Sequence, residues 1–123
     1  MKIERLQVGT RMSQAVIHNG TVYLAGQVAF GARGASVTEQ MKDTLATIDS
    51  LLSAARSSKS QILSATIWLT DMSTFSEMNV VWDAWVEPGA PPARVTVGVP
   101  ALGSADFNLE ISIIAAQFTP ETE

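Results

Sequence analysis

Few residues in this sequence can do chemistry, and two of them interrupt runs that otherwise read as strands. Arg94 is the one charge in Pro91-Pro92-Ala93-Arg94-Val95-Thr96-Val97-Gly98-Val99, and Glu110 the one charge in Phe107-Asn108-Leu109-Glu110-Ile111-Ser112-Ile113-Ile114. Strand side chains alternate, so Ala93, Val95, Val97 and Val99 share one face of the first run and Arg94, Thr96 and Gly98 the other. In the second run Phe107, Leu109, Ile111 and Ile113 share one face, and Asn108, Glu110 and Ser112 the other. Taking both apolar faces as core places Arg94 and Glu110 on the same side of a sheet. Such residues have two uses. They form a structural ion pair on the sheet or at an interface. Alternatively, Arg94 lines a pocket and forks onto the carboxylate of a ligand, a geometry that suits a planar guanidinium better than an ammonium.

The other candidates are weaker. His18 is the single histidine and adjoins Asn19-Gly20, so it reads as an exposed turn residue. With one histidine and no cysteine, one chain offers no Ser-His or Cys-His pair, no multi-histidine metal site and no disulfide. Gly31-Ala32-Arg33-Gly34 lacks the Lys-Ser/Thr ending of a phosphate-binding loop and the spacing of a dinucleotide fingerprint, and reads as an ordinary loop. Phe75, Met78, Trp82 and Trp85 recur at helical spacing and read as the buried stripe of a helix.

These residues need a frame to hold them. A chain of 123 residues is most simply one domain, burying roughly 65% of the surface its unfolded form exposes. Residues 1–118 read as that domain and 119–123 as a polar tail. A net charge of −4 argues against a phosphate-tracking surface and hence against nucleic acid as a partner. No run approaches the roughly 18 apolar residues of a membrane span and no secretory leader is visible, so the expected setting is cytoplasmic.

The pattern along the chain supplies the elements. Residues 3–8 suit an edge strand. Residues 15–18 and 21–25 flank Asn19-Gly20, a pair suited to a two-residue hairpin turn, with the second strand running on towards Val28. Ser36-x-x-Glu39 has the form of a capping box, and Met41, Leu45, Ile48, Leu52 and Ala55 mark the buried stripe of a helix ending near Arg56. Residues 61–69 suit a strand. A second helix follows, with caps on offer from Asp71 to Thr74, Thr74-x-x-Glu77 as a box among them, and Glu87-Pro88-Gly89 as its stop. Residues 93–99 and about 107–117 complete the sheet. The resulting class is α+β: a mixed sheet of five to six strands with two helices on one face. Two helices leave the second face uncovered, and that face is partly apolar, so a further copy of the chain is expected to cover it.

Taken in order, Arg11-Met12-Ser13-Gln14-Ala15-Val16, Tyr23-Leu24-Ala25-Gly26-Gln27-Val28, residues 40–52, Phe75-Ser76-Glu77-Met78-Asn79, Pro92-Ala93-Arg94-Val95-Thr96-Val97 and Leu109-Glu110-Ile111-Ser112 together resemble the RidA/YjgF family of imine deaminases, also labelled endoribonuclease L-PSP-like. The resemblance covers nearly the whole chain. It implies a chorismate-mutase-like fold and a homotrimer whose sheets form a central barrel, with ligand clefts between subunits. It also implies hydrolysis of 2-imino or 2-enamino acids to 2-oxo acids and ammonia without a cofactor. Arg94 matches the arginine that binds the substrate carboxylate. In such a site backbone groups near Gly26 and Gln27, with Thr96, are expected to orient the nitrogen or the water, and Asn79 matches a family asparagine that acts from behind the site. Two positions depart from the pattern. Met12 stands where archetypal members carry a pocket tyrosine, and Ser112 where they carry a carboxylate that helps orient water. Ser112 can hydrogen-bond a water but cannot act as a base at neutral pH, and Glu110 lies two residues, about 7 Å, along the strand. A module that binds small carboxylates such as 2-oxo acids without turnover is the alternative. The ribonuclease activity in the family label fits poorly with the acidic balance and the lone turn histidine.

Overall fold

The computed structural model describes residues 1–119. Its elements are β1 (Ile3–Val8), β2 (Ser13–His18), β3 (Thr21–Leu24), α1 (Val37–Ala54), β4 (Ile62–Leu69), α2 (Phe75–Trp85), β5 (Ala93–Gly98) and β6 (Leu109–Ala116). One six-stranded sheet has the order β1-β2-β3-β6-β4-β5. Its pairs are antiparallel except β4 and β5, which run parallel on either side of the α2 crossover. Both helices pack on one face, as the pattern predicts. The proposed tail lies mostly outside the described residues.

Local chemistry accounts for the punctuation. Asn19 and Gly20 both adopt positive φ, 52° and 79°, as a hairpin turn of this length requires. The Ser36 hydroxyl accepts from the Glu39 amide at 3.2 Å and starts α1. The helix ends in a Schellman arrangement: the Ser57 amide donates to the Leu52 carbonyl at 2.8 Å and the Arg56 amide to Ser53 at 3.0 Å. Arg56 takes the left-handed conformation there, φ 61°, where glycine is usual. Its side chain bonds Glu4 at 2.8 Å and its carbonyl accepts from the Phe118 amide, which helps hold the conformation. The Arg56 guanidinium holds the Glu4 carboxyl below its ordinary pKa. That contribution is present above the unfolded carboxylate pKa and is lost as pH falls through the folded one.

The second helix begins differently from the expected box. Thr74 makes no side-chain cap. Asp71 instead caps a short 3-10 turn, Met72–Thr74, accepting from the Ser73 amide at 2.9 Å. Glu77 turns away from its own helix and accepts from the Thr38 amide and hydroxyl, both at 2.9 Å, in the first turn of α1. It thus ties the two helices at their N-terminal ends, where a carboxylate also complements the helix dipole. Glu77→Ala is expected to cost about 1 kcal/mol, read as a fall of about 4 °C in Tm by calorimetry; an unchanged Tm would show the tie to be dispensable.

The inner layer joins Ala15, Ile17, Val22, Ile67, Leu69, Leu109, Ile111 and Ile113 from the sheet to Met41, Leu45, Ile48 and Leu52 of α1, to Ala55 at its C-cap, and to Met78 and Trp82 of α2, all buried. Phe75 departs from the expected stripe and is exposed, and Trp85 is half-buried, donating its indole N–H to Asp49 at 3.0 Å.

One strand face is reversed from the sequence expectation. In β5 the valines, taken as core, point away from the helices: Val95 is 57% exposed and Val97 37%. Arg94 and Thr96 point towards the helix layer. The reason is register. Arg94 pairs with Ala65 and Thr96 with Ile67, both buried beneath the helices, and partners in register share a face. The second face carries Ile3, Val16, Tyr23, Trp68, Val95, Val97 and Ile114, with Thr66, Glu110 and Ser112 among them. None of it is covered by a helix, and much of it is apolar.

Candidate functional site

Four residues singled out from the sequence meet at one cavity of about 420 Å³: Met12, Gly26, Gln27 and Glu110. Each arrives by a different route. Met12 lies in the turn before β2 and is 54% exposed. The chain leaves β3 at Leu24 rather than continuing as a strand to Val28. It touches β6 again only at Gln27, which exchanges backbone hydrogen bonds with Ile111 at 2.8 and 2.9 Å. That excursion turns the Gln27 side chain inward, where its amide donates to Gln14 Oε1 and the Ala25 carbonyl, both at 2.9 Å. Glu110 rises from β6 across Gly26. A Cβ at Gly26 would overlap the Glu110 carboxylate, so the glycine is what lets the acid lie along this wall.

The opposite wall was not expected. The Phe30–Ala32 turn and Arg33, read from sequence as an ordinary loop, line the same cavity together with Ser104 and Phe107. The Arg33 guanidinium lies 4.6 Å from the Phe107 ring centre and 5.3 Å from that of Phe30, and the two rings meet edge to face at 82°. Arg33 also pairs with Asp106 at 3.2 Å. A buried amide network sets this wall. Gln40, fully buried on α1, donates from Nε2 to Asn108 Oδ1 at 2.8 Å and to the carbonyls of Ala35 and Asp106, while its Oε1 accepts from the Asn108 amide at 2.9 Å. Asn108 in turn donates to Thr70 Oγ1. The Gly34 amide donates to the Asp106 carbonyl at 3.0 Å, and the Gly31 amide to Asp43 at 3.1 Å. The loop bearing Arg33 is therefore fastened to α1 and to the segment before β6. The capping box beside Gln40 marked the start of α1 in the sequence but not this network, whose partners lie more than sixty residues apart.

Arg94, Thr96 and Asn79 lie elsewhere. Arg94 is half-buried on β5 at the sheet edge, its guanidinium 5.2 Å from the Trp82 ring centre and 6.0 Å from that of Phe75. Asn79 falls between those rings in the helical sequence, four residues after Phe75 and three before Trp82, on the same face of α2. Thr96 Oγ1 is buried with no hydrogen-bond partner among the described residues. Ser112 sits on the open face opposite Thr66, outside the lining of the cavity. Arg94 and Glu110 are thus on opposite faces of the sheet, which removes the structural Arg94–Glu110 pair within one chain. Among the described residues no hydrogen bond or ion pair engages the Arg94 guanidinium; stacking alone positions it. His18 is exposed at the hairpin end. No cluster of three metal-ligating side chains occurs among the described residues, and no helix is long and apolar enough to cross a membrane.

One chain therefore presents two separate features: a cavity with an acid and oriented amides, and a sheet edge with a guanidinium held by stacking. Known proteins with the same sequence pattern and fold supply the context. The endoribonuclease L-PSP family model matches residues 2–117. A RutC family protein from Haemophilus influenzae is 41% identical over 115 residues, covering 94% of this chain and 98% of its own. The RutC family protein YoaB of Escherichia coli is 43% identical over 116 residues, covering 94% and 99%. The crystal structure of NMB1025 from Neisseria meningitidis, a YjgF family member, superposes with a TM-score of 0.92 at 39% identity, over 97% of this chain and 98% of that one. Ordered motifs, topology and these matches converge: the chain belongs to the endoribonuclease L-PSP family, the group that includes the RutC and YjgF proteins.

Proposed function

We propose that the protein hydrolyses 2-imino and 2-enamino acids to 2-oxo acids and ammonia, in a site shared between copies of the chain. The observation that carries this reading is the state of Arg94. Its guanidinium is stacked on Trp82 with its donors uncommitted, on the edge strand whose outer face is exposed valine. A second copy that covers that face and wraps round the β5 edge sets its cavity beside Arg94, which then forks onto the substrate carboxylate.

The chemistry asked of the protein is modest. Water adds to the electrophilic imine carbon, giving a carbinolamine. Proton transfer to nitrogen and cleavage of the C–N bond then release ammonia and leave the 2-oxo acid. Holding the carboxylate and placing one water account for most of what a site can add. Glu110, on the cavity wall beside Gly26, accepts a hydrogen bond from that water. Gln27, held by Gln14, fixes the surrounding polar groups. Ser112 stands where the family pattern carries a carboxylate, and Glu110 takes over the water-orienting role from the adjacent outward-facing position of the strand. No cofactor takes part in this scheme.

The test is ammonia release from 2-aminoacrylate generated in situ, with 2-oxobutyrate as competitor. Release should rise above spontaneous hydrolysis in proportion to protein and fall as the oxo acid saturates the site. Oxo-acid binding without any acceleration would instead establish a binding module, the reading that Ser112 in place of a carboxylate favours.

A further inference from the structure

The cavity is larger than a three- or four-carbon imino acid needs. In one chain it measures about 420 Å³ before any neighbouring copy covers its open side, against the ~150 Å³ of engineered apolar cavities that accept benzene. Phe30, Arg33 and Phe107 build one wall of it, and Val28 and Met12 also line it. Two features of that wall bear on what it takes. Phe30 is 67% exposed, although its ring meets Phe107 edge to face, so a large aromatic surface stands at the rim. Arg33 is pressed into the corner of those two rings while Asp106 balances its charge, and its side chain remains 46% exposed. A guanidinium with its charge balanced, already in the company of aromatic rings and with nearly half of its side chain exposed, suits stacking more than anion capture. The acids nearby, Glu110 in the cavity and Asp106 on Arg33, further disfavour a ligand with a second carboxylate.

We infer that Phe30 and Arg33 form a side-chain subsite selecting substrates with an aromatic group, so that the preferred imines derive from aromatic amino acids. This rests on the deaminase reading for its chemistry, but the subsite itself is a property of binding. The ring of the substrate stacks on the guanidinium and packs against Phe30, while the carboxylate end faces the neighbour's Arg94. The wall needs no rearrangement to receive it, because the Gln40–Asn108 network and the Gly34–Asp106 bond already hold both loops.

Titration calorimetry with 2-oxo acids as product analogues tests this on the assembled protein, using phenylpyruvate, 2-oxobutyrate and 2-oxoglutarate. Phenylpyruvate should bind about tenfold more tightly than 2-oxobutyrate. Phe30→Ala and Arg33→Ala, both at exposed side chains, should each reduce that preference to about threefold or less. Equal affinities in the unaltered protein, a preference that survives both substitutions, or tighter binding of 2-oxoglutarate than of phenylpyruvate would each overturn the subsite. The two readings fail separately. An aromatic preference without ammonia release defeats the deaminase and leaves the subsite standing; ammonia release without the preference does the reverse.

Discussion

Arg94→Ala is expected to lower kcat/KM for small 2-imino acids by roughly 30- to 1000-fold. The figure follows from losing two charge-assisted hydrogen bonds to a carboxylate, together about 2–4 kcal/mol. Arg94→Lys should recover only part of the loss, since an ammonium cannot form the fork and stacks less well on Trp82. The structure sharpens the expected stability result. Arg94 and Glu110 face opposite sides of the sheet, so removing the guanidinium strands no buried carboxylate in its own chain. What is lost is the stacking on Trp82 and Phe75, about 1 kcal/mol at a half-exposed edge. Thermal unfolding and deamination kinetics on one Arg94→Ala preparation decide the matter. A folded, assembled variant that deaminates normally would end the clamp.

Val95→Asp should dissociate the assembly and with it abolish turnover. Val95 is 57% exposed and pairs in register with Thr66, which in turn faces Ser112 across β4 and β6. In a lone chain the new carboxylate stands in water, at a cost below about 1 kcal/mol for an edge strand. In an assembly that buries this face, each copy carries an unpaired charge worth several kcal/mol of desolvation, repeated at every interface. Sedimentation at micromolar concentration should show the unaltered protein at three times the chain mass and the variant at one. Because the proposed site needs Arg94 from one copy and the cavity of another, kcat/KM should fall more than about 100-fold. An unaltered protein that sediments as a monomer, or a Val95→Asp variant that stays assembled and active, would remove both the interface and the shared site.

Much of the frame was legible from local signals. Asn19-Gly20 specified its turn because two consecutive positive φ angles suit few other pairs. Ser36 and the spacing of Met41, Leu45, Ile48, Leu52 and Ala55 specified α1 and its buried side, since a helix of 3.6 residues per turn makes that spacing a stripe. Glu77 was misread for a related reason. The capping pattern identifies a carboxylate near a helix start but not which start it serves, and the packing of α2 on α1 gave it to Thr38. Arg33 was passed over because its role depends on Phe107 and Asp106, more than seventy residues away in the chain.

The sequence by itself determined the class of the fold, the positions of its helices and hairpin, the uncovered sheet face and the residues with chemistry to offer. These are local quantities: periodicity, capping residues, turn residues and composition. It also determined that Arg94 and Thr96 share a face. Only the tertiary structure decided which face that is, because alternation divides a strand into two sides without naming the inner one, and valine suits a helix-covered side and a subunit-covered side equally. Parallel pairing with β4, in register at Ala65 and Ile67, turned Arg94 towards α2 and left the valines outside. The same pairing separated Arg94 from Glu110, while the pairing of β2, β3 and β6 gathered Met12, Gly26, Gln27 and Glu110 at one cavity that Arg33 also lines. Which groups converge on a ligand depends on strand order and register, and these are settled by packing across the whole chain rather than by any stretch of it.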